Sequence, residues 1–114
     1  MFQPFSFSQY FWTTHARVKL SYYGLSENRV KRVLRNPTRI EEGIAPQTFA
    51  CMQPVSTRMK GGKKVWSQEL WVMAQQTKEG NIKVISAWRY PGMSKVRALP
   101  IEVQMEIEEG LQRL

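Results

Sequence analysis

Hydrophobic and polar positions alternate most regularly in IKVISAWRYPG, Ile82 to Gly92. Ile82, Val84, Ser86, Trp88 and Tyr90 fall on one side and Lys83, Ile85, Ala87 and Arg89 on the other, the period of two that a pleated strand requires. Pro91 and Gly92 end it, because proline fixes one φ and glycine supplies the positive φ at the centre of a type II turn. Arg89 and Tyr90 are therefore expected at a strand end, where side chains leave the core and can meet a ligand. Near the N-terminus the spacing is helical instead. Thr13 or Thr14 can cap a helix through HARVKLSYY, and Gly24 can close it in the left-handed conformation. Phe11, His15, Val18, Tyr22 and Leu25 recur at intervals of four, three, four and three, a stripe that puts His15 at the start of the buried side and Arg17 and Lys19 away from it.

A second helix follows almost at once, with Ser26 as N-cap, Leu25 and Val30 as a hydrophobic staple, and Asn36-Pro37 as its end. Val30, Val33 and Leu34 face inward, leaving Arg29, Lys31, Arg32 and Arg35 to solvent or phosphate. The pattern then changes to strands: Thr38 to Ile44, Gln47 to Val55 after a tight Ala45-Pro46 connection, and Val65 to Gln76. Within the last, Leu70 to Ala74 is apolar on both faces, as in a central strand covered on both sides. Gly80-Asn81 marks the turn into Ile82.

Pro100 can start a C-terminal helix with Val103, Ile107, Leu111 and Leu114 on one face. Ile101, Val103, Met105 and Ile107 also recur with period two, but the Glu and Gln content favours helix. The segment 1–12, with Phe5 and Phe7 alternating with Ser6 and Ser8, reads as extended chain able to add an edge strand. The expectation is one domain over 1–114 with an α+β fold: two N-terminal helices packed on an antiparallel sheet of about four strands, followed by an acidic C-terminal helix over 100–114.

Composition adds a partner class. A chain of 114 residues with 42% hydrophobic residues can bury a core without disulfides or metal. No apolar run approaches the ~20 residues that span a bilayer, so no membrane association is expected. The start, MFQPFSFSQYFW, lacks a basic region and a small-residue cleavage site, and reads as mature cytoplasmic sequence. The lone Cys51 cannot form an internal disulfide and reads as a small buried hydrophobe. The net charge is +8, from 17 Lys and Arg against nine Glu. Four of those Glu and one Arg lie in Ile101 to Leu114, which carries −3 and leaves +11 on the rest. Such an excess points to a polyanion, nucleic acid first and an acidic protein second. In STRMKGGKK, Arg58, Lys60, Lys63 and Lys64 flank Gly61-Gly62, which reads either as a mobile basic loop able to wrap a phosphodiester backbone or as a solvated hairpin tip.

Candidate chemistry is narrow. With no Asp, one His and one Cys, the chain lacks the residues of an ordinary protein-bound metal centre, and no cofactor motif is present. His15, the Arg and Lys residues and Tyr90 remain. They suffice for metal-independent RNA cleavage, in which a base deprotonates the 2′-hydroxyl and arginines neutralise charge growing on the phosphorane. The same cations would equally serve a noncatalytic nucleic-acid-binding module or an interaction domain for an acidic partner.

The fragment HARVKLSYYGLSENRVKRVLRNPTRIEEG, followed by strands and then IKVISAWRYP, resembles the small domains related to BrnT toxins of the RelE/ParE superfamily. The likeness covers roughly residues 14 to 91 and rests on the order of short motifs. It implies a toxin-like ribonuclease acting without metal, on free or ribosome-associated RNA, and held inactive by an antitoxin protein. By position, His15 and Arg17 match the opening motif and Arg89 the strand-end arginine. In that reading Arg89 and Arg17 clamp the scissile phosphate and His15 or Tyr90 exchanges protons. Arg58, Lys60, Lys63, Lys64, Lys83, Arg32 and Arg35 would hold the RNA backbone. The basic loop, Trp88 and Tyr90 lie outside the family pattern.

Overall fold

A computed structural model of the protein describes residues 9–43, 45–96 and 101–112. Its elements are β1 (Tyr10–Trp12), α1 (Thr14–Tyr23), α2 (Glu27–Arg35), β2 (Arg39–Glu42), β3 (Thr48–Lys60), β4 (Lys63–Gln76), β5 (Ile82–Pro91) and α3 (Ile101–Gln112). The strands form one sheet in the order β1-β5-β4-β3-β2. The four later strands pair antiparallel, while β1 runs parallel to β5 with Tyr10 opposite Ile82 and Trp12 opposite Val84. The expected four-stranded antiparallel sheet is thus replaced by a five-stranded mixed one, while the expected C-terminal helix is present as α3. A three-residue strand carries too little alternation to announce its partner. Its place is fixed by backbone bonds, from the Ile82 N–H to the Gln9 carbonyl and from the Thr13 N–H to the Val84 carbonyl, both 3.1 Å.

The helix ends follow the chemistry of their caps. Thr13 caps α1, its hydroxyl accepting from the Ala16 N–H at 3.0 Å and donating to the Ile85 carbonyl at 3.1 Å, which ties the helix start to β5. Gly24, at φ 66°, closes α1. Ser26 accepts from the Arg29 N–H to open α2. The buried side of α1, however, is Ala16 and Leu20, with Tyr23 partly buried, whereas His15, Val18 and Tyr22 are exposed. The stripe read from Phe11 is rotated away from the sheet. The small Ala16 lets the helix approach β5 closely, and the extended β1 interrupts the helical phase between Phe11 and His15.

The main core lies between the helices and one face of the sheet. Val30, Val33 and Leu34 of α2 meet Ile40, Phe49, Cys51, Leu70, Val72, Ala74, Ile82, Val84 and Ala87. The Cys51 thiol is fully buried; burial raises its pKa, and the charge of Glu108 adds to the rise. The C-terminal segment is helical, and the period-two alternative is not adopted. Ile107 packs on the core, while Val103 is exposed; the side chains of Leu111 and Leu114, like residues 1–8, lie outside the described structure. Among the described residues no helix is long and apolar enough to cross a membrane.

One irregularity changes which residues share a face. Met73 pairs with Ser86, but the next residue, Ala74, pairs with Val84, leaving Ile85 as an extra residue in β5. Such a bulge inverts the alternation beyond it. Ile82 and Val84 therefore share the helix-covered face with Ala87, while Trp88 packs with Ala50, Met52, Trp66 and Trp71 on the opposite face. The single regular alternation expected from Ile82 to Tyr90 is not what forms.

Candidate functional site

The strands β3 and β4 are much longer than their neighbours need. β2 covers β3 over Phe49–Met52, and the β4–β5 pairing stops at Gln68 opposite Pro91. The β3–β4 ladder continues beyond, through Thr57 opposite Trp66 to Lys60 opposite Lys63. Of the two expectations for this basic stretch the hairpin forms, as the tip of a paired two-stranded ribbon that projects from the sheet and is exposed at every residue from Ser56 to Lys64. Gly61 and Gly62 have φ 57° and 77°, so both central residues of the two-residue turn are left-handed, as a type I′ hairpin requires. The turn pins Lys60 directly across from Lys63, and like charges in that position repel. Arg58 and Lys64 sit on the same short arm.

A second cationic feature forms at one end of the helix-covered face. Gln53, Leu70 and Arg89 lie in one row across β3, β4 and β5. The Arg89 Nε donates to the Tyr23 carbonyl and Nη1 to Gln68 Oε1, each at 3.1 Å, so the guanidinium is fixed by neutral oxygens at the end of α1. Arg29 donates to Gln53 Oε1 at 2.7 Å, and Gln53 in turn donates to the Arg32 and Asn36 carbonyls that end α2. Burial lowers the Arg29 pKa, and repulsion from Arg32 and Arg89 lowers it further. Sequence reasoning left Arg29 to solvent or phosphate, with no tie to the sheet. What could have distinguished it is its position one residue before the inward-facing Val30, where a long side chain can reach the sheet.

The four residues singled out for catalysis are not brought together. Arg89 contacts the C-terminal end of α1, whereas His15 stands exposed near its N-terminal end, eight residues or about 12 Å of helix away. Arg17 is exposed and pairs with Glu27 at 3.3 Å. Tyr90 follows Arg89 on the strand but lies on the helix-free face with Trp88. Lys83, Arg32 and Arg35 are exposed, Lys83 beside β1 and the two arginines on α2, each away from the ribbon tip.

The helix-free face holds a buried ionic network that the sequence reading did not anticipate. Glu69 is completely buried, and its Oε1 accepts from Trp71 Nε1 at 2.9 Å and the Ser94 hydroxyl at 2.6 Å. Its Oε2 accepts from Trp66 Nε1 at 2.9 Å and the Ser94 N–H at 3.0 Å. Arg39 lies 3.8 Å from Glu69, donates to Glu41 at 2.6 Å and to the Ser94 and Lys95 carbonyls, and covers the Trp71 ring at 5.2 Å. Burial alone would raise the Glu69 pKa, but the hydrogen bonds from Ser94, Trp66 and Trp71 outweigh it and hold the carboxyl below its ordinary value. The legible signal was a Glu set between Trp66 and Trp71, directly before the apolar run Leu70 to Ala74, since an acid buried there needs donors on every side.

Comparison with protein families, with curated proteins and with solved structures finds no match for this chain.

Proposed function

We propose that the protein is an RNA-binding module whose basic β-ribbon grips the backbone of a single strand. The observation that carries this reading is the ribbon itself: a paired arm with no neighbouring strand among the described residues, with Lys60 held opposite Lys63 and Arg58 two residues away. Repulsion between such cations has no structural use in a hairpin, and a polyanion relieves it. The arm's exposure on both sides suits a strand that winds past it, and the net charge of +8 supplies long-range attraction. An acidic antitoxin-like protein would compete for the same arm.

The test is RNA binding across a salt series, in excess chelator, by the wild type and the triple variant R58A/K60A/K63A. For a single strand, log affinity falls by about 0.7 per phosphate contact for each decade of salt, so the variant's slope is expected to be shallower by about 2. An unchanged slope would remove the ribbon from the interface.

A second reading, metal-independent cleavage by a toxin-like ribonuclease, draws support from Arg29 and Arg89, two guanidiniums held by neutral oxygens at one end of the sheet. They could stabilise a phosphorane. His15 and Tyr90, the residues considered for proton exchange, stand away from that pair. The same reactions, resolved for products ending in 2′,3′-cyclic phosphate, test it: products lost on Arg89→Ala would favour cleavage, and intact RNA would leave binding alone.

A further inference from the structure

Arg29 and Arg89 are arranged around two glutamines. Gln53 pairs with Leu70 and Gln68 with Val55, so Gln53 and Gln68 are diagonal neighbours on the helix-covered face, about 7–8 Å apart. Each anchors one guanidinium. Arg29 reaches from α2 to Gln53 Oε1 at 2.7 Å, and Arg89 reaches across from β5 to Gln68 Oε1 at 3.1 Å. Arg32 follows Arg29 by one turn of α2 and is exposed beside it. The cations gather where the β4–β5 pairing stops and the ribbon begins.

The anchors orient these charges without neutralising them. The chain has nine Glu, yet a neutral amide stands at both anchor positions, and the Tyr23 carbonyl that holds the Arg89 Nε is neutral as well. Among the described residues the ion pairs are Arg17–Glu27, Arg39–Glu41 and Arg39–Glu69, none of which includes Arg29 or Arg89. A half-buried charge without a counter-ion is costly. Burial, followed by the charges of Arg32 and Arg89, lowers the Arg29 pKa for that reason. A guanidinium carries five N–H donors. Arg29 commits one and Arg89 two, and the rest meet no protein acceptor among the described residues.

A phosphate fits between such a pair. Forks on either side of one tetrahedral anion can each donate charge-assisted bonds of about 2.7–2.9 Å. Two fixed positive charges match a phosphomonoester best, since it carries about −1.5 to −2 near neutral pH and has three acceptor oxygens. A phosphodiester inside a strand carries a single charge and has one free oxygen fewer. We propose that Arg29 and Arg89 seat the terminal phosphate of the bound RNA strand. The inference rests on the RNA-binding reading and gives the ribbon's sequence-independent grip a fixed starting point. The strand's end would sit at the root of the ribbon, seven residues or about 23 Å of β3 from Lys60.

The experiment uses the full chain at fixed salt in excess chelator. Three unlabelled RNA strands of one sequence, ending in a 5′-phosphate, in a 3′-phosphate or in hydroxyls at both ends, compete against a labelled reference strand. At least one phosphorylated strand is expected to bind about tenfold tighter than the hydroxyl-ended one, the scale of a charge-assisted hydrogen bond, and the comparison identifies which end is seated. Gln68→Glu preserves side-chain volume and gives Arg89 a carboxylate, so it should abolish that advantage while hydroxyl-ended RNA stays within about threefold of wild type. Arg29→Gln should abolish it from the other side and keeps the test decisive if the Gln68 variant does not fold. Equal affinity for all three strands, or an advantage that survives in either folded variant, would overturn the proposal. The ribbon variant R58A/K60A/K63A separates the two readings. Ribbon-dependent binding of all three strands alike overturns the phosphate seat alone. A wild-type protein that binds none of them overturns the RNA reading and the seat with it.

Discussion

The two faces of the sheet solve burial by opposite means. Under the helices, Val33, Leu34, Leu70, Val72 and Val84 exclude water with aliphatic side chains. On the other face, Trp66, Trp71 and Trp88 shelter a carboxylate and a guanidinium that bond to one another's surroundings. An aliphatic core tolerates small shifts, because dispersion and the hydrophobic effect are non-directional. A buried acid does not, because each of its oxygens needs donors in fixed directions. The second face therefore fixes ring positions in a way the first has no need to.

Adjacent residues of β4 allow the comparison to be broken one face at a time. Glu69→Ala should cost about 3–5 kcal/mol, since it leaves the buried or half-buried Trp66, Trp71 and Ser94 donors without their acceptor, each such group costing about 1–3 kcal/mol, while Arg39 keeps Glu41. Leu70→Ala, on the helix-covered face, should cost about 2–5 kcal/mol through cavity formation. The two are separated by what else they change. Denaturant titration gives both costs, but near-ultraviolet circular dichroism of the native state should be altered by Glu69→Ala and preserved by Leu70→Ala. Unaltered tryptophan signals in the Glu69 variant would mean that the rings are held by packing alone.

Acid sharpens the same contrast. The folded pKa of Glu69 lies below its ordinary value of 4.5, so on acidification the unfolded chain takes up that proton first. The stabilisation is fully present above that ordinary value and is lost as pH falls through the depressed folded pKa. Glu69→Gln should accordingly flatten part of the acid limb of a stability profile measured from pH 6 to pH 2. A profile with the wild-type slope would assign the acid sensitivity to other carboxyls.

Sequence reasoning reached what is local. The caps at Thr13, Ser26 and Gly24, the inward face of α2 and the strand ending at Pro91-Gly92 all follow from side-chain chemistry within a few residues. What it missed is set by pairing at long range. The parallel partnership of β1 with β5 joins residues some seventy positions apart. The bulge at Ile85 exists only relative to β4, and it moved Trp88 and Tyr90 to the face opposite the one that Ile82 defines. The rotated face of α1 follows from the same cause, because Thr13 is anchored to β5 before the helix begins. For the candidate site, the basic residues of the ribbon were legible as charge and the hairpin as one of two readings, but not the length of the paired arm, and the Arg39–Glu69 network joins β2, β4 and the segment after β5, which no local window spans.

The smallest effect belongs to α1, which separates the opening His-Ala-Arg motif from both faces of the comparison. Arg17 pairs with Glu27 at 3.3 Å, but the side chains are 61% and 46% exposed, so solvent screens the pair. Arg17→Ala should cost no more than about 0.2–1 kcal/mol. RNA affinity should also stay within about twofold of wild type, since one phosphate contact at most is removed and the ribbon is untouched. Both quantities come from one protein preparation, by denaturant titration and by filter binding at fixed salt. A tenfold loss of RNA affinity with stability unchanged would carry the interface onto the outer side of α1, where the exposed His15 also stands, and would make the helix rather than the ribbon the principal RNA contact.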